Sequence, residues 1–134
     1  MSWEGIVSEA QEIVSVDDFL EPLISHIVLK HASFSEALVA MLASHFAGII
    51  EESRWSQLFA TTHGIGSSCP PEYEPGKGSL EKLGLLDLIA VKIRDPACPN
   101  HLNPFLYFKG YKAIQAHRIA HVRSFFVCSK EESC

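Results

Sequence analysis

The sequence predicts an all-α fold, a small helical bundle of about five helices with a long Gly/Pro-rich loop at about 61–79. Three observations carry this prediction. Apolar residues recur at helical spacing, strand-like alternation is scarce, and helix-start signals stand ahead of the apolar runs. With 134 residues, a single helical domain over 1–134 is expected. An apolar fraction of 47% and a charged fraction of 20% are those of an ordinary globular chain. A chain of this size buries roughly two thirds of its unfolded surface, enough for a real core.

Taken in order, residues 1–14 make a short amphipathic helix, with Trp3, Ile6 or Val7, Ala10, and Ile13 or Val14 on one side. Pro22 fits the first turn of a second helix, where its missing N–H costs nothing. That helix runs through LISHIVLKH to about His31. Ser33 and Glu36 form an S-x-x-E capping box ahead of EALVAMLASHFAGII, so a third helix is expected to end near Glu52. Residues 61–79 carry Gly64, Gly66, Gly76 and Gly78 with Pro70, Pro71 and Pro75, a density of breakers that no helix or strand survives. From Leu80 to Arg94 helical periodicity returns despite Gly84, and Pro96 ends that helix by disfavouring helical dihedrals at Asp95. Asn103 and Pro104 then supply an N-cap and first-turn proline for the last helix. Along it Leu106, Gly110, Ala113, His117 and Ala120 share a face, whose small residues would admit another helix backbone.

Charge and patterning exclude several function classes. The formal charge is −5, with 16 acidic against 11 basic residues and no basic stripe, which argues against nucleic acid and anionic membrane as partners. No apolar stretch approaches the roughly 18 residues of a membrane span, and the N-terminus has neither a secretory nor a transit pattern. Cys69, Cys98, Cys128 and Cys134 lie far apart, so free thiols and a cytosolic location are expected. Phe105, Tyr107, Phe108 and Tyr111 read as core rather than as a base-stacking platform, and no phosphate-binding Gly-rich loop is present.

The segment RDPACPNH, Arg94 to His101, is the stretch richest in functional groups. Pro96, Pro99 and Pro104 stiffen it. A carboxylate at Asp95 is thereby preorganised for a cationic or hydroxyl-bearing ligand. The rival reading is a loop-capping Asp that accepts backbone N–H groups. Cys98-x-x-His101 with His117-x-x-x-His121 offers four zinc-type ligands, although the first pair lacks its second cysteine; against it stands the reading of both helical histidines as ordinary partly buried residues. No particular histidine is placed beside Cys98 for nucleophilic catalysis, and His26, His31, His45 and His63 read as core-edge or solvent residues. No catalytic residue, metal ligand or cofactor is therefore assigned from the residues themselves.

DLIAVKIRDPAC followed by NPFLYFKGYKAIQAHRIAH resembles the N-terminal helical domain of serine O-acetyltransferases, densely from Leu86 to His121. EPLISHIVLKHASFSEALVAMLASHFA, Glu21 to Ala47, resembles the same domain's earlier helices. The best match is thus 21–47 and 86–121. The resemblance implies an α-helical bundle that assembles protomers into homo-oligomers. It implies transfer of acetyl from acetyl-CoA, a co-substrate of the complete enzyme, to the hydroxyl of L-serine in cysteine biosynthesis. By motif match it implies that Asp95, with Pro96 and Ala97, binds serine.

The departures set further expectations. After His121 the family continues with a Trp-containing helix and a left-handed β-helix of hexapeptide repeats, whereas this sequence reads VRSFFVCSKEESC, a divergent tail over 122–134, and contains no such repeat. Between Ile49 and Ser79 the family has another helical segment where this chain has its breaker-rich stretch. A form truncated to the helical domain, inactive alone, is expected. The alternative is an oligomerisation or regulatory module that self-associates or co-assembles with full-length enzyme.

Overall fold

The computed structural model describes residues 1–46, 51, 53–55, 57 and 80–131. Among them every regular element is helical. Helix α1 spans Trp3–Val16. A 3₁₀ turn over Asp18–Leu20, started by the Asp17 side chain accepting from Phe19 N, leads into α2, Glu21–Ile24, with Pro22 in its first turn. The same rod continues as a π-helical segment, Ser25–Leu29, so the second helix does reach the expected vicinity of His31. Lys30 N bonds back to Ser25 O at 3.2 Å, the wider loop of a π-turn.

Helix α3 spans Phe34–His45 and starts as the capping box predicts: Ser33 Oγ accepts from Glu36 N. Glu36 Oε2 reaches one residue further back than the standard box, to Ala32 N at 2.9 Å. The helix ends well before Glu52. Phe46 leaves helical dihedrals (φ −102°, ψ 20°) and its ring turns onto Trp55, centroids 5.6 Å apart. Helix α4 spans Leu80–Arg94, as the sequence predicts. The breaker-rich 61–79 stretch and the 132–134 end of the tail lie outside the described residues.

The expected single last helix is broken into α5, Leu102–Tyr107, and α6, Lys109–Glu131. Phe108 is extended (φ −80°, ψ 111°). At roughly 100° per residue, Phe105 and Tyr111 would face some 120° apart on one unbroken helix. The break brings both rings inward, centroids 6.1 Å apart. It also turns the predicted small-residue face outward: Gly110, Ala113, His117 and Ala120 are exposed, while Tyr111, Gln115 and Ile119 are buried.

One core joins these helices. Ile6 and Ala10 of α1, Ile24 and Val28 of the second rod, and Phe34, Leu38 and Leu42 of α3 pack with Leu88, Leu102 and Phe105. Aromatic contacts run from Trp3 to Phe34 (6.2 Å, edge to face) to Phe105 (5.7 Å, tilted) to Tyr111 (tilted), linking four helices. Tyr107, by contrast, is 48% exposed. No helix among the described residues is long and apolar enough to cross a membrane.

Candidate functional site

The connector between α4 and α5 gathers the functional groups. Helix α4 stops because Pro96 follows, and Asp95 N makes the last helical bond, to Val91 O at 2.9 Å. Asp95 is partly buried. Its Oδ1 accepts from Ala97 N at 2.9 Å and its carbonyl accepts from Cys98 N at 3.1 Å, a local Asx turn. Its Oδ2 takes no hydrogen bond from any described residue. The loop-capping reading is the one seen here, with one carboxylate oxygen spent on Ala97 N. Pro96 and Ala97 beside it are exposed.

Three further side chains hold the connector. Lys92 Nζ, from the last turn of α4, donates to Cys98 O (2.9 Å) and Pro99 O (2.6 Å). Cys98 is buried at 3% exposure and its Sγ lies 3.1 Å from Asn100 O. Glu9, from α1, takes His101 N at 3.0 Å and Leu102 N at 2.9 Å on Oε2, and His101 Nδ1 at 2.8 Å on Oε1. The start of α5 is thus capped by a carboxylate from another helix, and by Asn100 Oδ1 accepting from Asn103 N at 2.8 Å. This corrects the expected Asn103 N-cap: α5 begins earlier, at Leu102, so Asn103 is inside the helix and donates. An open groove of about 400 Å³ lies between α1 and the connector, lined by Glu9, Glu12, Ile13, Val16, Asp17, Pro99 and Asn100.

Neither Glu9 nor Lys92 was legible as a site residue. An acid on an amphipathic helix reads as solvated. For Lys92 a signal exists: a basic residue in a helix's last turn, ahead of proline-interrupted backbone, is a ready donor to carbonyls that lack partners.

The zinc-type residues do not assemble. Cys98 points inward, His101 is held by Glu9, and His117 and His121 stack on α6 with centroids 6.1 Å apart. Among the described residues no group of three or more His, Cys, Asp or Glu is placed to hold a metal ion.

Behind the connector, α4 is fixed to α6 by a polar cluster. Asp87 accepts from Gln115 Nε2 at 2.8 Å and from the two terminal guanidinium nitrogens of Arg118; Gln115 is 2% exposed. Tyr111 donates to Gly84 O at 3.2 Å. Burial, and next the Asp87 charge, push the Tyr111 hydroxyl far above its ordinary value, with Arg118 opposing.

A family model described as serine acetyltransferase, N-terminal, matches residues 2–116. A probable serine acetyltransferase 4 of Oryza sativa subsp. japonica is 32% identical over 121 residues, covering 89% of this chain and 35% of the relative. The serine acetyltransferase of Escherichia coli strain K12 is 29% identical over 119 residues, 89% of this chain and 40% of that one. The crystal structure of Neisseria gonorrhoeae serine acetyltransferase in complex with serine superposes with a TM-score of 0.77 at 27% identity, covering 97% of this chain and 49% of that chain. That of Brucella abortus strain S19 serine acetyltransferase in complex with coenzyme A gives 0.71 at 30% identity, covering 89% and 44%. The chain spans less than half the length of each of these proteins.

Proposed function

The chain belongs to the serine acetyltransferase family, and from that premise we propose that it serves as the helical domain of an enzyme that moves acetyl from acetyl-CoA onto the hydroxyl of L-serine. The observation that carries the proposal is the half-engaged carboxylate of Asp95. One oxygen is spent on Ala97 N, which fixes the rotamer, and the other is left open on a braced rim. Serine carries an ammonium and a hydroxyl, both donors to such an oxygen. Pro96 and Ala97 complete the rim with no charge that would compete. Relatives solved with serine, with coenzyme A and with cysteine support a serine-handling role.

Acetyl transfer also needs a base within reach of the serine hydroxyl and a surface that positions the thioester. The histidine nearest to Asp95 in the sequence, His101, is engaged by Glu9 instead. We therefore take these 134 residues, by themselves, to be inactive, with turnover in the cytosol belonging to an assembly that supplies the rest. Two measurements test the reading. L-serine added to ¹⁵N-labelled chain should shift the Asp95 and Ala97 amide resonances, and Asp95→Asn should abolish the response; no shift in the parent chain would overturn the serine role. Purified chain with serine and acetyl-CoA should release CoA only at background, and clear turnover would overturn the inactivity.

A second reading is an assembly module. Its support is exposed apolar side chains on the outer helices: Ile93 at 77% and Leu86 at 47% on α4, and Ile114 at 48% on α6. Light scattering of the chain alone and mixed with full-length serine acetyltransferase decides it; masses that are merely those of the separate components reject it.

A further inference from the structure

We propose that Glu9 and Lys92 are positioning residues for Asp95: they clamp the connector from α1 and from the last turn of α4, so that the open carboxylate oxygen is presented in one geometry. The inference rests on the reading of Asp95 as a serine ligand.

A connector with Pro96 and Pro99 lacks two backbone donors, so backbone pairing cannot hold it. Side chains replace that pairing. Lys92 Nζ takes the two consecutive carbonyls that follow the Asx turn, Cys98 O and Pro99 O. Glu9 takes the two consecutive N–H groups that open α5, and adds the His101 ring. One clamp thus satisfies acceptors and the other donors, on either side of Asn100. Cys98, whose carbonyl Lys92 takes, has its own side chain buried. With Ala97 N on Asp95 Oδ1 and Cys98 N on Asp95 O, the anchors reach back without a gap to the carboxylate itself.

The geometry matters because a carboxylate on a mobile loop loses entropy on every binding event, whereas one on a pinned loop does not. A displacement of about 1 Å at such a group can cost a catalyst roughly 100-fold. Glu9 stands 92 positions from His101, so the clamp also makes the N-terminal helix part of the substrate rim.

The test uses the full 134-residue chain. Lys92→Met and Glu9→Gln remove donors or charge without touching the apolar core, and both variants should keep a cooperative helical melt. In ¹⁵N spectra each should weaken the L-serine response of Asp95 and Ala97 several-fold, and Lys92→Arg, which keeps a donor, should restore most of it. Amide exchange should accelerate at Ala97 and Cys98 in Lys92→Met and at His101 and Leu102 in Glu9→Gln. Unchanged exchange in both variants overturns the clamp. Accelerated exchange with an undiminished serine response overturns the positioning role. If the parent chain ignores serine altogether, the serine reading fails and the positioning role falls with it, while exchange still decides whether the clamp exists.

Discussion

Asp87 on α4 and Arg118 on α6, 31 positions apart, meet in a two-pronged ion pair at the edge of the core. Gln115, one turn before Arg118, donates to the same carboxylate and accepts from the guanidinium at 3.2 Å. The two charged side chains are 27% and 22% exposed, neither buried nor free. Replacing Arg118 by Met leaves Asp87 with Gln115 alone in a partly desolvated place. Between roughly 1 kcal/mol for exposed pairs and roughly 3–5 for buried ones, a loss of about 2 kcal/mol is expected. Urea unfolding checks it, and Asp87→Asn combined with Arg118→Met should cost less than the two single changes added together. Additive costs would show that the pair does not couple.

Gly84 breaks helical propensity in the middle of α4, yet its place is set by packing. A Cβ there would stand 2.9 Å from Phe34 Cε1, 3.2 Å from Phe34 Cζ and 3.3 Å from the Tyr111 hydroxyl. Phe34 is fully buried and has nowhere to retreat. Helix propensity favours Gly84→Ala by about 1 kcal/mol, while overpacking costs about 1–3 kcal/mol. The net expectation is destabilisation, read as a lowered urea midpoint. Phe34→Leu in the same chain should reverse part of it; a Gly84→Ala chain more stable than its parent would overturn the packing account.

How much of this could be read beforehand differs from residue to residue. The Ser33–Glu36 box, Pro22 in a first turn and the Pro96 stop are local signals, each acting within one helical turn, and the structure follows them. The expected run to Glu52 failed because Phe46 turns out of the helix to meet Trp55, a tertiary preference with no local mark. The break at Phe108 likewise serves two rings, Phe105 and Tyr111, and no glycine or proline stands at the break itself to announce it. The inward face of α6 was misread because it holds Gln115, polar by type yet satisfied by Asp87. The loop-capping turn at Asp95 was legible because Pro96 follows it and stiffens the connector. Its clamps were not, since a Glu9 contact across 92 positions leaves no trace in periodicity.

Tyr111 gives the molecule an alkaline limit. Its hydroxyl is buried and donates to Gly84 O, and its ionisation is pushed well above the ordinary 10.0. Above about pH 10 the unfolded chain loses a proton that the folded chain keeps, so stability falls as pH rises, by about 1.4 kcal/mol per unit from this group. Tyr111→Phe should cost about 1 kcal/mol near neutrality through the lost hydrogen bond, then converge with the parent above pH 10. The Lys112 ammonium, held below its ordinary range by burial, acts with the opposite sign as pH rises through its lowered value, but it is common to both chains. Parallel stability curves for parent and variant from pH 8 to 11.5 would contradict the assignment.

The start of α3 is tied by Ser33 Oγ to Glu36 N at 3.3 Å and by Glu36 Oε2 to Ala32 N at 2.9 Å. Ser33→Ala leaves a first-turn donor to water and should cost about 1 kcal/mol. Because α3 supplies much of the core, the loss should appear in the global urea transition rather than as local fraying. A change confined to the exchange of amides 34–37, with the global transition unmoved, would show that α3 frays independently of the bundle.

Ile93 is the most exposed apolar side chain of α4, at 77%, two residues before Asp95. If outer helix faces assemble protomers, removing this one should weaken assembly without weakening the fold. Ile93→Lys adds a cation in the last turn of α4, where the helix dipole favours it by about 0.3–1 kcal/mol, so the thermal melt should hold or rise slightly. Light scattering across a concentration series should then show the parent chain's mass rising with concentration and the variant's rise displaced several-fold upward. Phe19→Ser, at an 86% exposed corner between α1 and α2, tests whether assembly uses that surface as well. A parent chain that stays at one protomer's mass throughout would remove exposed apolar surface as an argument for assembly, and with it the second reading of this domain.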